Sequence, residues 1–485
     1  MKLISTLLIA TIFLISCGSD KKEVVRPNIL LLFLDDLDPD FGCYGNELVT
    51  TPNIDQLAKE GMRFTRAYAS GTVCSPSHTS LFTGCYASTI GAAHHRSNYI
   101  DSLPGGYTIV TELMSDAGYF NVNFKSNGDR MYNKIYGATA KTDLNFDRGE
   151  PENNQESGKE VFEYLHIIDP TNIDTYFKGG AWKNKKEKQP FFAYANIETG
   201  KKHGFEPGRK WAHEQGIAVD SMQIKIPPHY VDNDEVRHVL AASLDAVSHT
   251  DYEVGKFLDA LDQAGLKENT MVILLSDHGA TLPRHKQNLW RTGIHIPLII
   301  RWPEKIKANT LNTELASIID IAPTMLNAAN TDVPTTLEGI NLLSTAPKNR
   351  AAVFATRDGM NGVFDCSRAV VTKDFHYIKH FYPEIPFRGN HYAKKVLSFG
   401  SMATLYDEGK LNALQSVYYA SEKVPEELYG LQNDELQSQN LATSPAYLST
   451  VEQLNKALLQ WQKKSGDKVL DARTILNADK VPVGT

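Results

Sequence analysis

Short runs of apolar residues recur through the first 300 positions of the chain. Polar or turn-forming residues bound each run, and a continuous apolar run of this kind is typical of a strand buried on both faces of a parallel sheet. We therefore predict strands at 28–34, 119–124, 189–196, 270–275 and 296–301.

Segments with helical spacing of apolar residues lie between these strands. From Asp234 to Ala264, apolar residues recur every three or four positions, and Gly265 ends the pattern. Residues 52–61 carry proline in the first turn and glycine at the end, and residues 109–117 stop before Gly118. Strands that alternate with helices over this length predict an α/β fold, with a large mixed sheet sandwiched by helices.

The pattern changes after about residue 345. Residues 353–356, 367–373 and 375–381 are short alternating segments, which predict a small antiparallel sheet, and residues 451–463 predict a terminal helix. We therefore divide the chain into a large domain, residues 27–345, and a smaller C-terminal α+β subdomain, residues 346–485.

The N-terminus has the pattern of an export signal. Met1-Lys2 precedes an apolar run from Leu3 to Ile15, which is too short for a membrane span but suits a signal peptide. Small residues around Cys17 resemble a bacterial lipobox. We predict a signal peptide at 1–16, lipidation of Cys17 and a tether at 17–26, so that only a lipid anchors the exported protein in the periplasm, outer membrane or cell surface.

Composition changes this picture little. The 485 residues are 42% hydrophobic and 22% charged, as in ordinary globular proteins, and the net charge is −7. A dedicated nucleic-acid binder would show a basic surplus, so nucleic acid is an unexpected partner. An anionic substrate stays possible, because a few placed lysines and arginines can bind it.

Two of the predicted strands end in acidic residues. The first runs into Asp35-Asp36 and another into Ser276-Asp277-His278-Gly279. Ligands of parallel α/β sheets sit beyond the carboxyl ends of strands, so these groups are expected to face one site. Alone, either motif is more often a turn or a cap. Together they predict a cation cage whose oxygen-rich ligands favour Ca²⁺ or Mg²⁺.

Cys74 lies between these two motifs, in the segment Cys74-Ser-Pro-Ser-His78 that continues to Gly84. The following residues predict a helix, whose N-terminus would attract an anion toward Cys74. An isolated cysteine is more often a buried inert residue.

The segment from Cys74 to Gly84 resembles the sulfatase signature. Supporting motifs are Asp35-Asp-Leu, Gly42-Cys-Tyr-Gly-Asn46, 51–58, 276–279, 282–286, 297–303 and 320–324. The chain is therefore similar to type I sulfatases of the alkaline phosphatase superfamily from about residue 26 to 441. Residues 89–96 and 355–359 resemble the heparan N-sulfatase-like branch of bacterial polysaccharide sulfatases.

This resemblance implies a set of functional residues. A maturation enzyme would oxidise Cys74 to formylglycine (3-oxoalanine), whose hydrate attacks sulfur. Asp35, Asp36, Asp277 and His278 would hold Ca²⁺, or less typically Mg²⁺, which also touches residue 74. Lys286 matches the lysine that binds sulfate, and His203 the histidine that protonates the leaving alcohol. Either Lys125 or Lys141 would be the other active-site lysine, with Lys125 the better placed.

The resemblance also implies a sulfated carbohydrate as substrate, such as ulvan or a glycosaminoglycan, with O-sulfate as the group removed. The candidate contacts at the mouth of the site are His94, His95, Arg96, Arg357 and Asp358. A related alternative is a phosphate or phosphonate monoesterase. A further one is a surface glycan-binding protein without activity.

One position departs from the family pattern. The family has arginine where this chain has His78, and that arginine serves recognition by the maturation enzyme and contacts the formylglycine hydrate. A neutral imidazole has one N–H donor against five in arginine. The departure leaves three expectations open, which are a working sulfatase, a slow one or an unmodified binding protein.

Overall fold

The computed structural model describes residues 26–95, 103–124, 166–168, 177, 185–200, 205–303, 305–345, 350–359 and 365–467. The predicted signal peptide, Cys17 and all of the tether except residue 26 lie outside these ranges. Within them, no helix combines the length and apolarity that a membrane crossing requires.

An eight-stranded mixed sheet forms the centre of the molecule. The strands of this part of the described chain, eight of which form the main sheet, are β1 (Asn28–Leu34), β2 (Met62–Phe64), β3 (Ala67–Tyr68), β4 (Phe120–Phe124), β5 (His166–Ile168), β6 (Phe191–Ile197), β7 (Thr270–Ser276), β8 (Leu298–Arg301), β9 (Thr310–Asn312) and β10 (Ala316–Ser317). The order in the main sheet is β5-β4-β6-β1-β7-β8-β2-β9, and β3 pairs with β10 separately. The five predicted strands are confirmed, and the short strands are additional.

Strand β1 occupies the middle of the sheet and is buried along its whole length. Its side chains alternate between the two faces of the sheet, as in any strand. Ile29, Leu31 and Phe33 belong to one apolar cluster, and the residues between them belong to another on the opposite face. The sequence of β1 is therefore apolar throughout because each face of the strand packs into a different apolar cluster.

Helices cover both faces, as predicted. They are α1 (Pro52–Glu60), α2 (Cys74–Thr83), α3 (Val110–Asp116), α4 (Glu206–Glu214), α5 (Asp234–Gln263), α6 (Arg291–Ile294), α7 (Ile321–Ala328), α8 (His391–Lys395), α9 (Gly400–Asp407), α10 (Ala413–Ser416) and α11 (Leu448–Ser465). The side chain of Asn233 caps α5 by accepting from the backbone N–H of Val236 at 3.0 Å. A Cβ at Gly208 would lie 2.6 Å from the Cα of Ala246, so glycine permits the close packing of α4 on α5.

The C-terminal part carries the predicted antiparallel sheet. Its strands are β11 (Val353–Arg357), β12 (Ser367–Val371), β13 (Phe375–His380) and β14 (Glu426–Gly430), in that order. The first three were predicted, and β14 was not. Their apolar residues belong to the same cluster as one face of the main sheet. The two sheets therefore share a core, and the boundary at 345/346 stays a prediction.

Candidate active site

The two acidic motifs meet because their strands are neighbours. Strands β1 and β7 pair in parallel, with Leu34 opposite Ser276, so the residues that follow both strands emerge at one edge of the sheet. The backbone N–H of Asp36 donates to Asp277 Oδ1 at 2.8 Å, which ties the two loops together. His278 Nε2 lies 3.4 Å from Asp36 Oδ1 and 3.1 Å from Asp277 Oδ2.

Asp36 is held in an unusual backbone conformation. Its φ is 57°, a left-handed value that non-glycine residues adopt rarely and that often marks functional sites. This conformation places the Asp36 carboxylate, fully buried, within reach of two donors. Lys286 Nζ lies 2.8 and 2.6 Å from its two oxygens, and Thr281 Oγ1 donates at 2.8 Å.

Cys74 is the first residue of α2, and only 1% of its surface is exposed. Its Sγ lies 3.6 Å from Lys286 Nζ and 3.8 Å from Asp36 Oδ1. The structure thus brings Cys74, Lys286 and both acidic motifs together, as the sequence predicted. The helix N-terminus adds positive potential at the same point.

Burial and nearby charges set the protonation of this cluster. Burial opposes protonation of Lys286, but the carboxylate of Asp36 outweighs it and holds the lysine pKa well above its usual range. Burial likewise opposes protonation of His278. The carboxylates of Asp277 and Asp36 outweigh this, against repulsion from Lys286, and raise the His278 pKa to about 10. The carboxylates of this cluster therefore attract positive charge, whether it comes from these basic groups or from a cation.

The donor set fits a metal ion. Ligand atoms of Asp36, Cys74, Asp277 and His278 all lie within 4.8 Å of one another, and all four residues are buried. Asp277 Oδ2 and His278 Nε2 form no hydrogen bond within the described residues. His278 Nδ1 lies 2.9 Å from the Gly279 carbonyl, a contact that orients the ring and directs Nε2 toward the carboxylates. Buried polar atoms without hydrogen bonds that converge on one point indicate a cation site.

His78 lies one turn beyond Cys74 on α2 and is completely buried. Its Nε2 is 3.7 Å from Asp35 Oδ1, and its ring packs edge-on against Phe33 with centroids 4.7 Å apart. The contact with Asp35 was not predicted. Sequence order does not reveal it, because it depends on how α2 packs against the end of β1.

His94 and His95 connect helix α2 to the residues that follow β11. The backbone N–H of His95 donates to the Gly359 carbonyl at 3.1 Å, and the Gly359 N–H donates to His94 Nδ1 at 3.2 Å. His95 Nδ1 also lies 3.0 Å from the hydroxyl of Ser75, next to Cys74. These contacts place both histidines beside the site, and their role in substrate binding stays a prediction.

Arg357 and Asp358 already have ionic partners in the protein. Arg357 Nε lies 2.9 Å from Asp365 Oδ2, and Arg368 Nη1 lies 3.1 Å from Asp358 Oδ2. Arg357 and Asp358 also line a narrow pocket that contains Val73, the residue before Cys74. Their position is therefore compatible with a substrate contact, which stays a prediction. Lys125, Lys141, His203 and Arg96 lie outside the described residues.

A second ionic pair is formed by residues close in sequence to Asp36 and Lys286. His285 Nδ1 is 2.6 Å from Asp38 Oδ2. Both His285 and Asp38 line a cleft of about 590 Å³. This pair was not predicted, although His285 is the immediate neighbour of Lys286.

Comparison with known proteins agrees with this site. The sulfatase family model matches residues 27–331, and a model described as N-sulphoglucosamine sulphohydrolase, C-terminal, matches residues 284–391. The first match covers more than half of the chain, so the protein belongs to the sulfatase family and is an enzyme of the sulfuric ester hydrolase class. The predicted family and fold are confirmed.

Characterised relatives span several substrates. An ulvan-active sulfatase of Formosa agariphila is 28% identical, over 93% of this chain and 80% of the relative. Human N-sulphoglucosamine sulphohydrolase is 26% identical, over 91% of each chain. Among solved structures, a 2-O glycosaminoglycan sulfatase has a TM-score of 0.62 at 19% identity, over 93% of this chain and 94% of that one.

The same fold also occurs with a different chemistry. The phosphonate monoester hydrolase of Agrobacterium radiobacter has a TM-score of 0.59 at 19% identity, over 92% of this chain and 97% of that one. Structural similarity at this identity identifies the fold alone. The reaction must therefore be inferred from the site and its sequence signature.

Proposed function

We propose that this protein removes O-sulfate from a sulfated oligosaccharide or polysaccharide, an algal polysaccharide such as ulvan or a glycosaminoglycan. The observation that carries the proposal is the buried group in which Cys74 Sγ lies 3.6 Å from Lys286 Nζ and 3.8 Å from Asp36 Oδ1. The names of the relatives from Formosa agariphila and human support the substrate class.

The cation proposed for this site is Ca²⁺, held by Asp35, Asp36, Asp277 and His278. Carboxylate-rich ligation supports a hard cation. When bound, it would neutralise negative charge on the sulfate oxygens. Formylglycine at position 74, made by a maturation enzyme, would supply the hydrated aldehyde as nucleophile.

Lys286 has a defined part in this proposal. Both oxygens of Asp36 hold its ammonium group, and the lysine is 3% exposed. A fixed positive charge in a site that excludes water stabilises charge far better than a mobile one, because little reorganisation is needed. We infer that Lys286 binds the sulfate group beside position 74, together with the N-terminal N–H groups of α2.

The groups that complete the reaction lie outside the described residues. We propose His203 as the acid that protonates the leaving sugar oxygen, and Lys125 as the second lysine on the sulfate. His94, His95, Arg96, Arg357 and Asp358 are proposed substrate contacts. The protein would act at the bacterial surface or in the periplasm, anchored through Cys17.

The proposal is tested by mass spectrometry and turnover on one preparation. The protein is produced with a formylglycine-generating or sulfatase-maturating enzyme, and the peptide from Ala67 to Arg96 is measured. Conversion lowers the mass at Cys74 by about that of one water. Release of sulfate is then measured on ulvan fragments and glycosaminoglycan oligosaccharides, with Cys74→Ala as the matched control.

Two outcomes would contradict the proposal. An intact thiol with no desulfation across the panel would support a binding protein, the outcome that His78 leaves open. The second candidate function is a phosphate or phosphonate monoesterase, since a phosphonate monoester hydrolase has the same fold. Aryl phosphate or phosphonate turnover well above aryl sulfate turnover would support that candidate.

A further inference from the structure

We propose that His78 is a ligand of the active-site cation, so that this site contains two imidazoles. The inference rests on the proposed function for the presence of a cation at the strand ends. It goes beyond that function because it gives the histidine at position 78 a chemical role of its own.

The first support is geometric. Ligand atoms of Asp35, His78 and Asp277 lie within 4.8 Å of one another, and all three residues are buried. Asp277 also belongs to the group formed with Asp36, Cys74 and His278. A shared carboxylate joins the two groups, which places His78 beside the same cation.

The second support is the state of the shared carboxylate. Asp277 Oδ1 accepts the backbone N–H groups of Asp36 at 2.8 Å and His278 at 2.9 Å. Its other oxygen, Oδ2, is buried, lies 3.1 Å from His278 Nε2 and forms no hydrogen bond within the described residues. A buried carboxylate oxygen in this state is unfavourable unless a cation compensates it.

The backbone directs His78 toward Asp35, one of the carboxylates of this group. His78 follows Cys74 by four residues on α2, so both side chains lie on the same face of the helix. Phe33 packs edge-on against the imidazole, with an angle of 81° between the ring planes, which restricts rotation of the ring. The ring is therefore held with Nε2 3.7 Å from Asp35 Oδ1.

The chemical consequence concerns metal preference. Arginine at this position would offer only N–H donors, whereas a neutral imidazole offers a nitrogen lone pair. Oxygen ligands alone suit Ca²⁺ and Mg²⁺, and added imidazole ligands suit transition metals better. We therefore expect the site to bind Mn²⁺ more tightly, relative to Ca²⁺, than it does in a His78→Arg variant.

Pulsed electron paramagnetic resonance of bound Mn²⁺ tests the inference directly, because it counts coordinated imidazole nitrogens. All proteins carry Cys74→Ala, so that the chemical state of position 74 is identical and maturation plays no part. The set comprises this background alone, His78→Gln, His278→Gln and His376→Gln. His376 is a fully buried histidine in β13 and is the matched control.

We expect two coordinated imidazole nitrogens in Cys74→Ala alone and in the His376→Gln control. We expect one in His78→Gln and one in His278→Gln. The Mn²⁺ affinity of His78→Gln should fall roughly tenfold or more, since even indirect partners of metal ligands contribute 10- to 100-fold. A count of one in the background that His78→Gln leaves unchanged would overturn the inference.

The Mn²⁺ experiment tests the ligand role of His78 independently of sulfatase activity. Binding of Mn²⁺ through one imidazole, together with desulfation by the matured protein, would reject the inference and leave the proposed function intact. Loss of Mn²⁺ binding in His78→Gln without loss of thermal stability in the metal-free protein would support a ligand role over a structural one. Equal loss of stability in both histidine variants and the control would count against it.

Discussion

Two buried ionic clusters, one in each part of the molecule, have similar compositions and different properties. At the end of β1, Asp36, Lys286 and His278 surround Cys74. In the antiparallel sheet, Ser367 Oγ lies 2.7 Å from His380 Nδ1, and His380 Nε2 lies 2.7 Å from Glu427 Oε1. A serine that contacts a histidine, which in turn contacts a glutamate, has the residue types of a hydrolytic triad.

Hydrogen bonding separates the two clusters. The other oxygen of Glu427 accepts from Trp290 Nε1 at 2.8 Å and from the hydroxyl of Tyr429. Burial does not separate them, because Ser367 is 0% exposed and Cys74 is 1% exposed. At the active site, by contrast, Asp277 Oδ2 and His278 Nε2 form no hydrogen bond within the described residues. Buried charge alone is therefore a poor marker of function, whereas converging atoms that still need a partner are a better one.

The largest effect is expected from Cys74→Ala. Removal of the proposed nucleophile should lower kcat for sulfate release by about 10⁴-fold or more, because single members of such catalytic units typically contribute that much. The free energy of unfolding should change by about 1 kcal/mol at most, since a small side chain is removed from a functional position. Single-turnover assays and urea unfolding measure the two effects. Residual activity within tenfold of the unsubstituted enzyme would show that another group is the nucleophile.

Lys286→Met should lower both activity and stability. We expect a loss of about 10²- to 10³-fold in kcat, as for other fixed electrostatic groups. Removal of the lysine leaves Asp36 buried without its ionic partner, which costs about 3–5 kcal/mol when nothing replaces it. Urea unfolding with chelator, and then with Ca²⁺, should show that the cation reduces this loss.

The matched control for Lys286→Met is Arg350→Met. Arg350 forms a bidentate pair with the buried carboxylate of Asp320, at 2.5 and 2.6 Å. Its stability loss should be the same with chelator and with Ca²⁺, because no cation site lies there among the described residues. If Ca²⁺ reduced the stability loss of Lys286→Met and Arg350→Met equally, the effect would not be specific to a cation site beside Asp36.

Glu427→Gln tests the cluster of Ser367, His380 and Glu427 through the pH dependence of stability. Burial opposes ionisation of Glu427, but hydrogen bonds from His380, Tyr429 and Trp290 outweigh it and lower the pKa to about 2. A carboxyl group whose pKa is lower in the folded than in the unfolded protein stabilises the folded state at pH values above its unfolded pKa. This stabilisation is lost as the pH falls through the pKa of the folded state. We expect the variant to be about 2–4 kcal/mol less stable at neutral pH.

That stability difference should shrink as the pH falls from about 4.5 toward 2, since Glu427 is then protonated in the unfolded and finally in the folded state. Urea unfolding across this range measures it. The kcat of the folded variant should be unchanged. A difference that stays constant over this range would show that the ionised form of Glu427 is not what stabilises the sheet.

The smallest effect is expected from Ser367→Ala. Loss of its hydrogen bond to His380 should lower stability by about 1 kcal/mol, with no change in kcat. Thermal unfolding and sulfate release measure these values. A loss of activity comparable to that of Cys74→Ala would make the Ser367 cluster catalytic and would reverse the distinction between the two clusters.

Much of the fold could be predicted because its strands have strong local signals. Strands β1 and β7 are apolar throughout, since both faces of a central strand are covered, and α5 has long apolar periodicity. Strands β2 and β14 were not predicted. Their segments are short and partly buried, and pairing with distant strands stabilises them more than their own residue pattern does.

Which candidate site residues lie together was predictable in part, and their individual contacts were less so. Asp35, Asp36, Asp277 and His278 follow strands, so their common position depended only on parallel pairing of those strands. The pairs formed by Asp38 with His285 and by His78 with Asp35 had no comparable signal. Each depends on loop conformation, including the left-handed backbone of Asp36.

The sequence by itself determined which residue types the candidate site offers, because Cys74, Lys286 and the two acidic motifs stand in a recognisable local order. Only the tertiary structure decided that His78 lies against Asp35 within reach of the same carboxylate as His278, and that Ser367, His380 and Glu427 pair with one another. The physical reason is that local order selects residues and helix faces, whereas contacts between residues on different elements depend on strand order and packing.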